Sequence, residues 1–279
     1  IYEFLIVKKL TAETYTSCIS SLKTENKDKF YGIAITSRTK ADIIEVSEIC
    51  ETLGKIFICA SKDADIITNA TDDLASMLKN TKEKTMLIYH TNADVEFIDG
   101  AFLGDLLGSD AGLFMGSYKT YDLINEDILT DNEISNINTK KANYYTELAG
   151  VKNIQTGQNT KGTSIAIVRD IDVFKRTLQL SELMVFFKND VINYDNIGLL
   201  KIETAIRNTC LSMLEKGVLK YQTKAQIAES MGILEDDVLH YDIMGFYLKV
   251  PSMTETASYN PTTKTLSNIQ FVGKVRDEI

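Results

Sequence analysis

The sequence contains no stretch that approaches the roughly 20 consecutive apolar residues of a membrane-spanning helix. Its first ten residues carry Glu3 in their middle and no cleavage site, so they are not a secretory signal. Clusters of basic residues are missing too, since 30 Lys and Arg are scattered among 39 Asp and Glu, for a net charge of −9. Nucleic-acid affinity depends on phosphate contacts from clustered basic residues. These absences predict neither a membrane nor a nucleic-acid partner.

Cysteine pairs with CxxC spacing are also absent. The four cysteines are Cys18, Cys50, Cys59 and Cys210. Cys50 and Cys210 occupy apolar helix positions, and Cys59 lies in an apolar, strand-like run. We therefore expect buried free thiols made in a reducing cytosol, rather than disulfides or metal ligands.

The first third of the chain alternates short apolar runs with segments of helical period. This β-α-β-α-β-α order predicts parallel strands joined by right-handed crossovers, with helices covering the sheet. Thr39 with Asp42 is typical of a helix start, and Gly54 is typical of a helix end. The predicted strands are 30–36, 55–60 and 85–89, and the predicted helices are 39–53, 72–79 and 95–107.

The rest of the sequence predicts a different arrangement, with a polar loop, a hairpin and two long helices. Its predicted elements are a loop entering a short helix over 122–137, strands 142–148 and 151–156, a hairpin turn 157–162, a returning strand 163–168, helices 170–189, 197–216 and 223–231, a strand 245–250, a polar turn region around Pro251–Pro261, and a strand 268–275.

The fold class predicted from this order is α/β, with a mainly parallel sheet and flanking helices, followed by an α+β part. We place the boundary between two subdomains at 1–120 and 121–279. The apolar stripes of the two long helices are wide enough to face a core. The stripes predict buried side chains at Phe174, Leu178, Phe186 and Ile206.

One motif has the glycine spacing of a phosphate-binding loop, Gly157-Gln-Asn-Thr-Lys161-Gly162-Thr163. The phosphate-binding mechanism needs a Lys after the second glycine and a helix that begins at once. Here Lys161 precedes Gly162, and strand-like residues follow. A hairpin turn is the favoured interpretation.

Two polar groups could in principle carry chemistry. Glu235, Asp236, Asp237, His240 and Asp242 could be drawn as ligands of a divalent metal, but adjacent carboxylates in a polar connector normally point apart into water. We interpret them as solvated loop charges.

His90 ends a predicted strand beside Asn92 and Asp94, at the edge where α/β proteins often bind ligands. No nucleophile motif such as GxSxG lies nearby, so we interpret His90 as a polar contact at a strand end.

Two further pairs have structural interpretations. Asp170 and Asp172 lie at a predicted helix start, where acids complement the helix dipole. Tyr144 and Tyr145 would place one ring on each face of a strand, one for packing and one for a contact surface. We therefore expect no catalytic, cofactor-binding or metal-binding residue.

The order of several motifs resembles the sheath-like proteins of contractile phage tails. Asn143-Tyr144-Tyr145 ahead of the glycine-bounded turn is the most specific of them. The sequence departs from the family where Phe102 stands in place of the usual Trp, and it contains no Trp at all. The motifs that carry the resemblance are Phe30-Tyr-Gly-Ile33, Ser37-Arg-Thr-Lys-Ala-Asp42, Gly54-Lys-Ile-Phe57, Ile88-Tyr-His90, Gly100-Ala-Phe-Leu-Gly104, Lys141-Ala-Asn-Tyr-Tyr-Thr146, Gly150, Gly157, Arg169-Asp-Ile-Asp172, Tyr194-Asp-Asn-Ile-Gly198, Ala205-Ile-Arg207 and 269–279.

The resemblance implies a structural subunit of a tail sheath, assembled in the bacterial host cytoplasm and located in the virion tail. Its implied partners are further copies of itself, the tail tube protein, the baseplate and the tail terminator. Copies would join by strand exchange through terminal arms, and contraction would rearrange them as rigid bodies. Family members are longer at both ends, so we expect such arms to be missing from this sequence.

Two alternatives stay open at this point. One is an α/β enzyme that binds a small molecule with His90 and the acids near Asp94. The other is a tail or baseplate adaptor of related fold that does not form a contractile array.

Overall fold

A computed structural model describes residues 5–25, 29–189, 191–193, 195–251, 259–260, 265–266 and 269–277 of the chain. This part of the chain divides into two compact units. Unit 1 comprises Ile1–Asp110 and Phe114–Arg169, and unit 2 comprises Ala111–Leu113 and Asp170–Ile279. The predicted boundary at residue 120 falls inside unit 1, because the segment after it returns to the sheet of that unit.

Unit 1 is built on a five-stranded sheet with the strand order β1-β2-β3-β4-β5. The first four strands are parallel neighbours and β5 pairs antiparallel to β4, which confirms a mainly parallel sheet. The elements of this unit are α1 (Tyr15–Glu25), β1 (Gly32–Ile33), α2 (Lys40–Leu53), β2 (Ile56–Ser61), α3 (Leu74–Leu78), β3 (Thr85–Tyr89), α4 (Ile98–Gly108), α5 (Asp131–Thr139), β4 (Asn143–Leu148) and β5 (Val151–Gln155), with a 3₁₀ turn at Ala64–Ile67.

Every residue of β2 and β3 is buried, as expected for strands covered on both faces. Alternate side chains supply two separate cores. Ile56, Ile58 and Met86 pack with residues of α4, whereas Phe57 and Leu87 pack with residues of α1, α2, α3 and α5. The sheet therefore lies between two helical layers.

Local signals in the sequence set the ends of α2. The hydroxyl of Thr39 accepts a hydrogen bond from the N–H of Asp42, and Gly54 ends the helix with a left-handed backbone (φ 67°). That conformation is disfavoured for residues with a Cβ atom. Both signals were predicted, and both are confirmed.

Unit 2 contains the two long helices and several short strands. β8 is the centre of a three-stranded antiparallel sheet with the order β11-β8-β7, and β6 pairs with β12. The elements are α6 (Ile165–Phe187, whose first residues, through Arg169, belong to unit 1), α7 (Asn196–Glu215), β6 (Leu219–Lys220), α8 (Lys224–Met231), β7 (Tyr241–Asp242), β8 (Phe246–Lys249), β9 (Tyr259–Asn260), β10 (Thr265–Leu266), β11 (Gln270–Val272) and β12 (Lys274–Val275), with a 3₁₀ turn at Glu235–Asp237. The turn region predicted around Pro251–Pro261 lies largely outside the described residues.

The predicted strand 163–168 is wrong. A single bridge pairs Gln158 with Ser164, and α6 begins at Ile165. Val168 and its neighbours are apolar because they are buried on a helix in the core of unit 1. Short apolar runs fit a buried helix as well as a strand, and the period alone does not separate them.

The predicted core of the long helices is confirmed in part. Phe174 and Ile206 are buried in the core of unit 2, and Leu178 packs against that core. The prediction that Phe186 is buried is wrong, since its side chain is 55% exposed. The core of unit 2 contains residues from the first half of α6, and the apolar stripe continues beyond it into the second half.

Candidate functional site

The candidate site lies at the carboxyl ends of the parallel strands. Because β1, β2 and β3 run in the same direction, the segments that follow them meet at one edge of the sheet. Arg38, Lys62 and His90 follow these three strands in turn. Each of them reaches a carboxylate that a later segment supplies.

His90 forms the centre of the site, and its imidazole is fully buried. Nδ1 lies 3.0 Å from Oδ2 of Asp127, and Nε2 lies 3.1 Å from Oε2 of Glu96. Ionised carboxylates only accept hydrogen bonds, so a protonated ring that donates through both nitrogens satisfies both acids. Backbone N–H groups support both acids. Thr91 donates to Asp127 at 2.8 Å, and Asn125 donates to Glu96 at 2.7 Å.

The electrostatics of this triad agree with that assignment. Burial alone lowers the pKa of His90, but the hydrogen bonds and charges of Asp127 and Glu96 outweigh it and raise the pKa above its ordinary value. For Glu96, burial raises the pKa, yet hydrogen bonds from Asn125 and His90 hold it below its ordinary value. The triad is therefore a set of mutually stabilised charges.

A second charged pair lies beside the triad. Arg38 makes a two-pronged contact with Asp99, with nitrogen–oxygen distances of 2.6 and 3.1 Å, and its Nε donates to the carbonyl oxygen of Ala93. The two side chains are only 6% and 1% exposed. Asp99 lies in the first turn of α4, so Arg38 connects the segment after β1 to the start of that helix. Lys62 forms a more exposed salt bridge with Asp94.

This arrangement connects the loops that follow the strands through charged contacts. Both nitrogens of His90 are engaged by carboxylates, so the ring is not hydrogen-bonded to a hydroxyl or thiol, as a general base beside its nucleophile would be. Within the described residues, no group of three or more His, Cys, Asp and Glu side chains is arranged to hold a metal ion. The prediction that His90 makes polar contacts at the end of its strand agrees with this geometry.

The glycine loop, Gly157–Thr163, is followed by a helix, contrary to the expectation that strand-like residues would intervene. Its backbone donors are nevertheless all used within the protein. The side chain of Asn159 accepts hydrogen bonds from the N–H groups of Lys161 and Thr163, both at 2.9 Å. The N–H groups of the other five residues donate to Gln155 O, Asn143 Oδ1, Thr163 O, Thr85 O and Asn159 O. A phosphate-binding loop needs such groups free to point at the anion, so this loop is not one.

The loop instead fastens β4 to the segment that enters β3. Asn143 donates to the carbonyl oxygens of Leu87 and Gln158, and Thr160 donates to that of Lys82. Asn143 and Asn159 are fully buried. At Gly157 the backbone has φ 64°, and a Cβ atom would collide with the backbone of Gly116. Sequence reasoning identified the glycines but missed the two asparagines, whose signal is an amide side chain next to a turn.

The acidic group at 235–242 lies in unit 2 and is largely exposed. Glu235, Asp236 and Asp237 form a solvated 3₁₀ turn, as predicted. Asp242 pairs with Arg207 of α7, while His240 lies edge-on to Tyr247. The structure does not bring these residues together around a common point.

Asp170 and Asp172 are not at a helix start, because α6 begins five residues before Asp170. The side chain of Asp170 is fully buried, accepts the N–H of Gly112 at 3.1 Å and lies 3.0 Å from Nε of Arg276. The preceding residue, Arg169, donates to the carbonyl oxygens of Leu106, Ser109 and Asp110 at the end of α4. Arg169 and Asp170 are therefore buried polar residues that hold other segments in place, and they do not cap a helix.

The tyrosine pair has one ring in each core of unit 1, as the alternation of a strand predicts. The expected contact surface is wrong, because both faces of β4 are covered. Tyr144 and Tyr145 are only 6% and 0% exposed.

The prediction that the four cysteines are buried free thiols is confirmed. The four thiols are buried and unpaired. Burial raises the pKa of Cys50 and of Cys210 to about 12 each. These groups are protonated, unreactive members of the core.

Comparison with known proteins gives one kind of match. No family model matches the sequence, and no curated protein matches it. Among solved structures, the fold is similar to that of a chain in the cryo-EM structure of the anti-feeding prophage baseplate, determined with six-fold symmetry. The TM-score is 0.64 at 12% identity, and the match covers 98% of this chain and 72% of that one. A likeness at this identity establishes a shared fold.

Over the described residues, no helix combines the length and the apolar character that crossing a membrane requires.

Proposed function

We propose that the chain is a structural subunit of a contractile tail in a bacteriophage or phage-like particle, and specifically a sheath subunit that assembles with copies of itself around a tail tube. The observation that carries the proposed contractile-tail role is the shared fold, which extends over 98% of the chain. The narrower proposal of a sheath subunit rests on the resemblance of the sequence motifs. The matched chain belongs to the anti-feeding prophage baseplate, whose structure has six-fold symmetry.

The use of polar residues inside the chain supports a structural role. Motif residues that first suggested the sheath-like family, including Arg38, His90, Asn143 and Arg169, are buried or half-buried and hydrogen-bonded to other segments. Each one fixes a loop or a helix end. A subunit that must pass force through its body needs such connections, whereas an active site needs polar groups that face a substrate. We propose on this basis that the protein is not an enzyme.

A baseplate ring component of related fold is the second candidate. The observation that favours it is the description of the matched structure, a baseplate with six-fold symmetry. Such a component would close into a ring rather than continue as a helix, because a repeated head-to-tail contact gives either outcome according to its rotation angle.

Negative-stain electron microscopy of the protein expressed from its complete gene tests the proposal. Helical tubes of indefinite length, formed alone or with a co-expressed tail tube protein, are the expected result. Closed rings would favour the baseplate component. Protein that remains monomeric both alone and with the tube protein would contradict both structural roles and favour the alternative of a small-molecule-binding enzyme.

A further inference from the structure

The second half of α6 and the first half of α7 form an unusual surface. Large apolar side chains that a helix normally buries are exposed there: Met184 is 44% exposed, Leu200 59%, Ile197 67% and Phe187 73%. Between the helices lies a groove of about 750 Å³, lined by Met184, Ile197 and Leu200 among others. Exposed apolar surface of this kind is typical of an interaction site. We call it the helix groove.

The helix groove carries positive charge at its margin. Lys188 and Lys201 line it, and both side chains are exposed. Lys201 donates to an uncharged amide oxygen, Oδ1 of Asn189, at 2.7 Å. The surface therefore suits a partner that is apolar at its centre and acidic at its edge.

A surface with those properties lies elsewhere on unit 2, in the segment 233–244. Val238 is buried, but other apolar side chains of the segment are exposed, with Leu234 at 74%, Leu239 at 80% and Ile243 at 82%. The exposed acids Glu235, Asp236 and Asp237 stand between them. We call this segment the acidic ridge. Since both surfaces are exposed in the single chain, neither covers the other within one copy.

We propose that the acidic ridge of one copy docks in the helix groove of the next. This inference rests on the proposed assembly of the chain with copies of itself and identifies two surfaces that carry it. Apolar side chains would meet in the centre of the contact, and Lys188 and Lys201 would face Glu235 and Asp237 at its margin. Because the two surfaces differ, the contact is head-to-tail and repeats into a ring or a helix.

Paired charge reversals test the contact. Lys188→Glu with Lys201→Glu makes both surfaces of one copy negative, and Glu235→Lys with Asp237→Lys makes both positive. Each variant alone should associate with itself at least about tenfold more weakly than wild type at about 0.05 M salt, because like charges then meet. Mixing the two variants should restore association, and so should combining all four changes in one chain. Sedimentation velocity at protein concentrations up to about 1 mM measures all five samples.

Lys8→Glu with Lys29→Glu is the control matched to Lys188→Glu with Lys201→Glu. It makes the same change in net charge at exposed positions of unit 1. It should leave self-association within about twofold of wild type. Carbodiimide cross-linking of a mixture of isotopically light and heavy protein gives a second measurement. Links from Lys188 or Lys201 to acids of the ridge should join light to heavy chains.

Several results would overturn the contact. They are wild-type protein that stays monomeric at about 1 mM, single-surface variants that associate normally, and a mixture that shows no recovery. Tubes or rings that form unchanged from either single-surface variant would remove this contact while leaving the proposed function intact. Loss of binding only to a tail tube protein, with self-association unchanged, would assign the groove to that partner instead.

Discussion

Unit 1 and unit 2 treat their apolar residues differently. In unit 1, β2 and β3 are buried along their whole lengths, and two helical layers cover the two faces of the sheet. In unit 2, α6 and α7 bury one stripe around Phe174 and Ile206 and expose large side chains beyond it. The comparison teaches that an apolar helical stripe does not by itself indicate a core. Such a stripe can equally form an exposed interaction surface.

The largest expected effect is on the free energy of unfolding, when one phenylalanine of each unit is replaced by alanine. Phe102 is fully buried in unit 1, and Phe186 is 55% exposed in unit 2. Phe102→Ala should lower the free energy of unfolding by about 3–5 kcal/mol, since it removes a buried ring and leaves a cavity. Phe186→Ala should change it by less than about 0.5 kcal/mol. Urea denaturation of both variants measures the difference, and equal losses would contradict the contrast between the units.

A similar loss of stability is expected where a buried charge loses its ion-pair partner. Arg38→Ala removes the partner of Asp99, whose side chain is 1% exposed, and should cost about 3–5 kcal/mol. Lys220→Ala, which removes one partner of Asp277 from a pair that is 56% exposed on both sides, is the control. Thermal melts of the two variants should separate clearly. A loss in Lys220→Ala as large as that in Arg38→Ala would show that burial is not the reason.

A smaller effect distinguishes the two interpretations of the glycine loop. Asn159→Ala leaves the N–H groups of Lys161 and Thr163 without their acceptor and should cost about 1–3 kcal/mol. Lys161→Ala should cost less than about 0.5 kcal/mol, because the side chain of Lys161 is exposed. Denaturation in the presence and absence of inorganic phosphate or a nucleotide provides the test. Stabilisation of wild type by the anion, lost in Lys161→Ala, would restore the phosphate-loop interpretation.

The smallest effect concerns the pH dependence of unit 1. The raised pKa of His90 means that the folded protein holds this proton more tightly than the unfolded chain. Its stabilising contribution is full below the ordinary histidine pKa of about 6.5 and is lost as the pH rises through the folded pKa. The lowered pKa of Glu96 acts at the other end, where its contribution is lost as the pH falls through the folded value.

Denaturation from about pH 6 to pH 9 should therefore show a decline in stability that His90→Gln removes. His240→Gln, at an exposed position of unit 2, is the control for the loss of one imidazole. A decline that persists in His90→Gln would assign the proton to another group.

The sequence predicted much of unit 1 because its signals are local. Thr39 and Gly54 set the ends of α2 through contacts within a few residues, and Gly54 also separates that helix from the apolar run Ile56–Ala60, which was predicted as a buried strand and is one. The prediction of a strand at 163–168 was wrong because no local signal there distinguishes a strand from a helix. A run of six residues has no period long enough to separate a strand from the first turns of a helix.

The candidate site could be predicted only in outline. The position of His90 after β3 follows from the strand order, but its partners Glu96 and Asp127 are 6 and 37 residues away, on loops whose paths no local pattern fixes. The pairing of Asp170 with Arg276 spans 106 residues. Such contacts follow from the packing of whole segments, so they become visible only in the folded chain.

The sequence by itself determined the alternation of strands and helices, the buried free thiols and the family resemblance, since each depends on residue type and on spacing within about one element. Only the tertiary structure decided which apolar stripes are covered and where the buried charges find partners. The physical reason is that burial depends on the area that another segment removes from water, and that segment is generally far away in the sequence. Phe102 and Phe186 are the same residue in the same kind of element, and distant segments cover only the first.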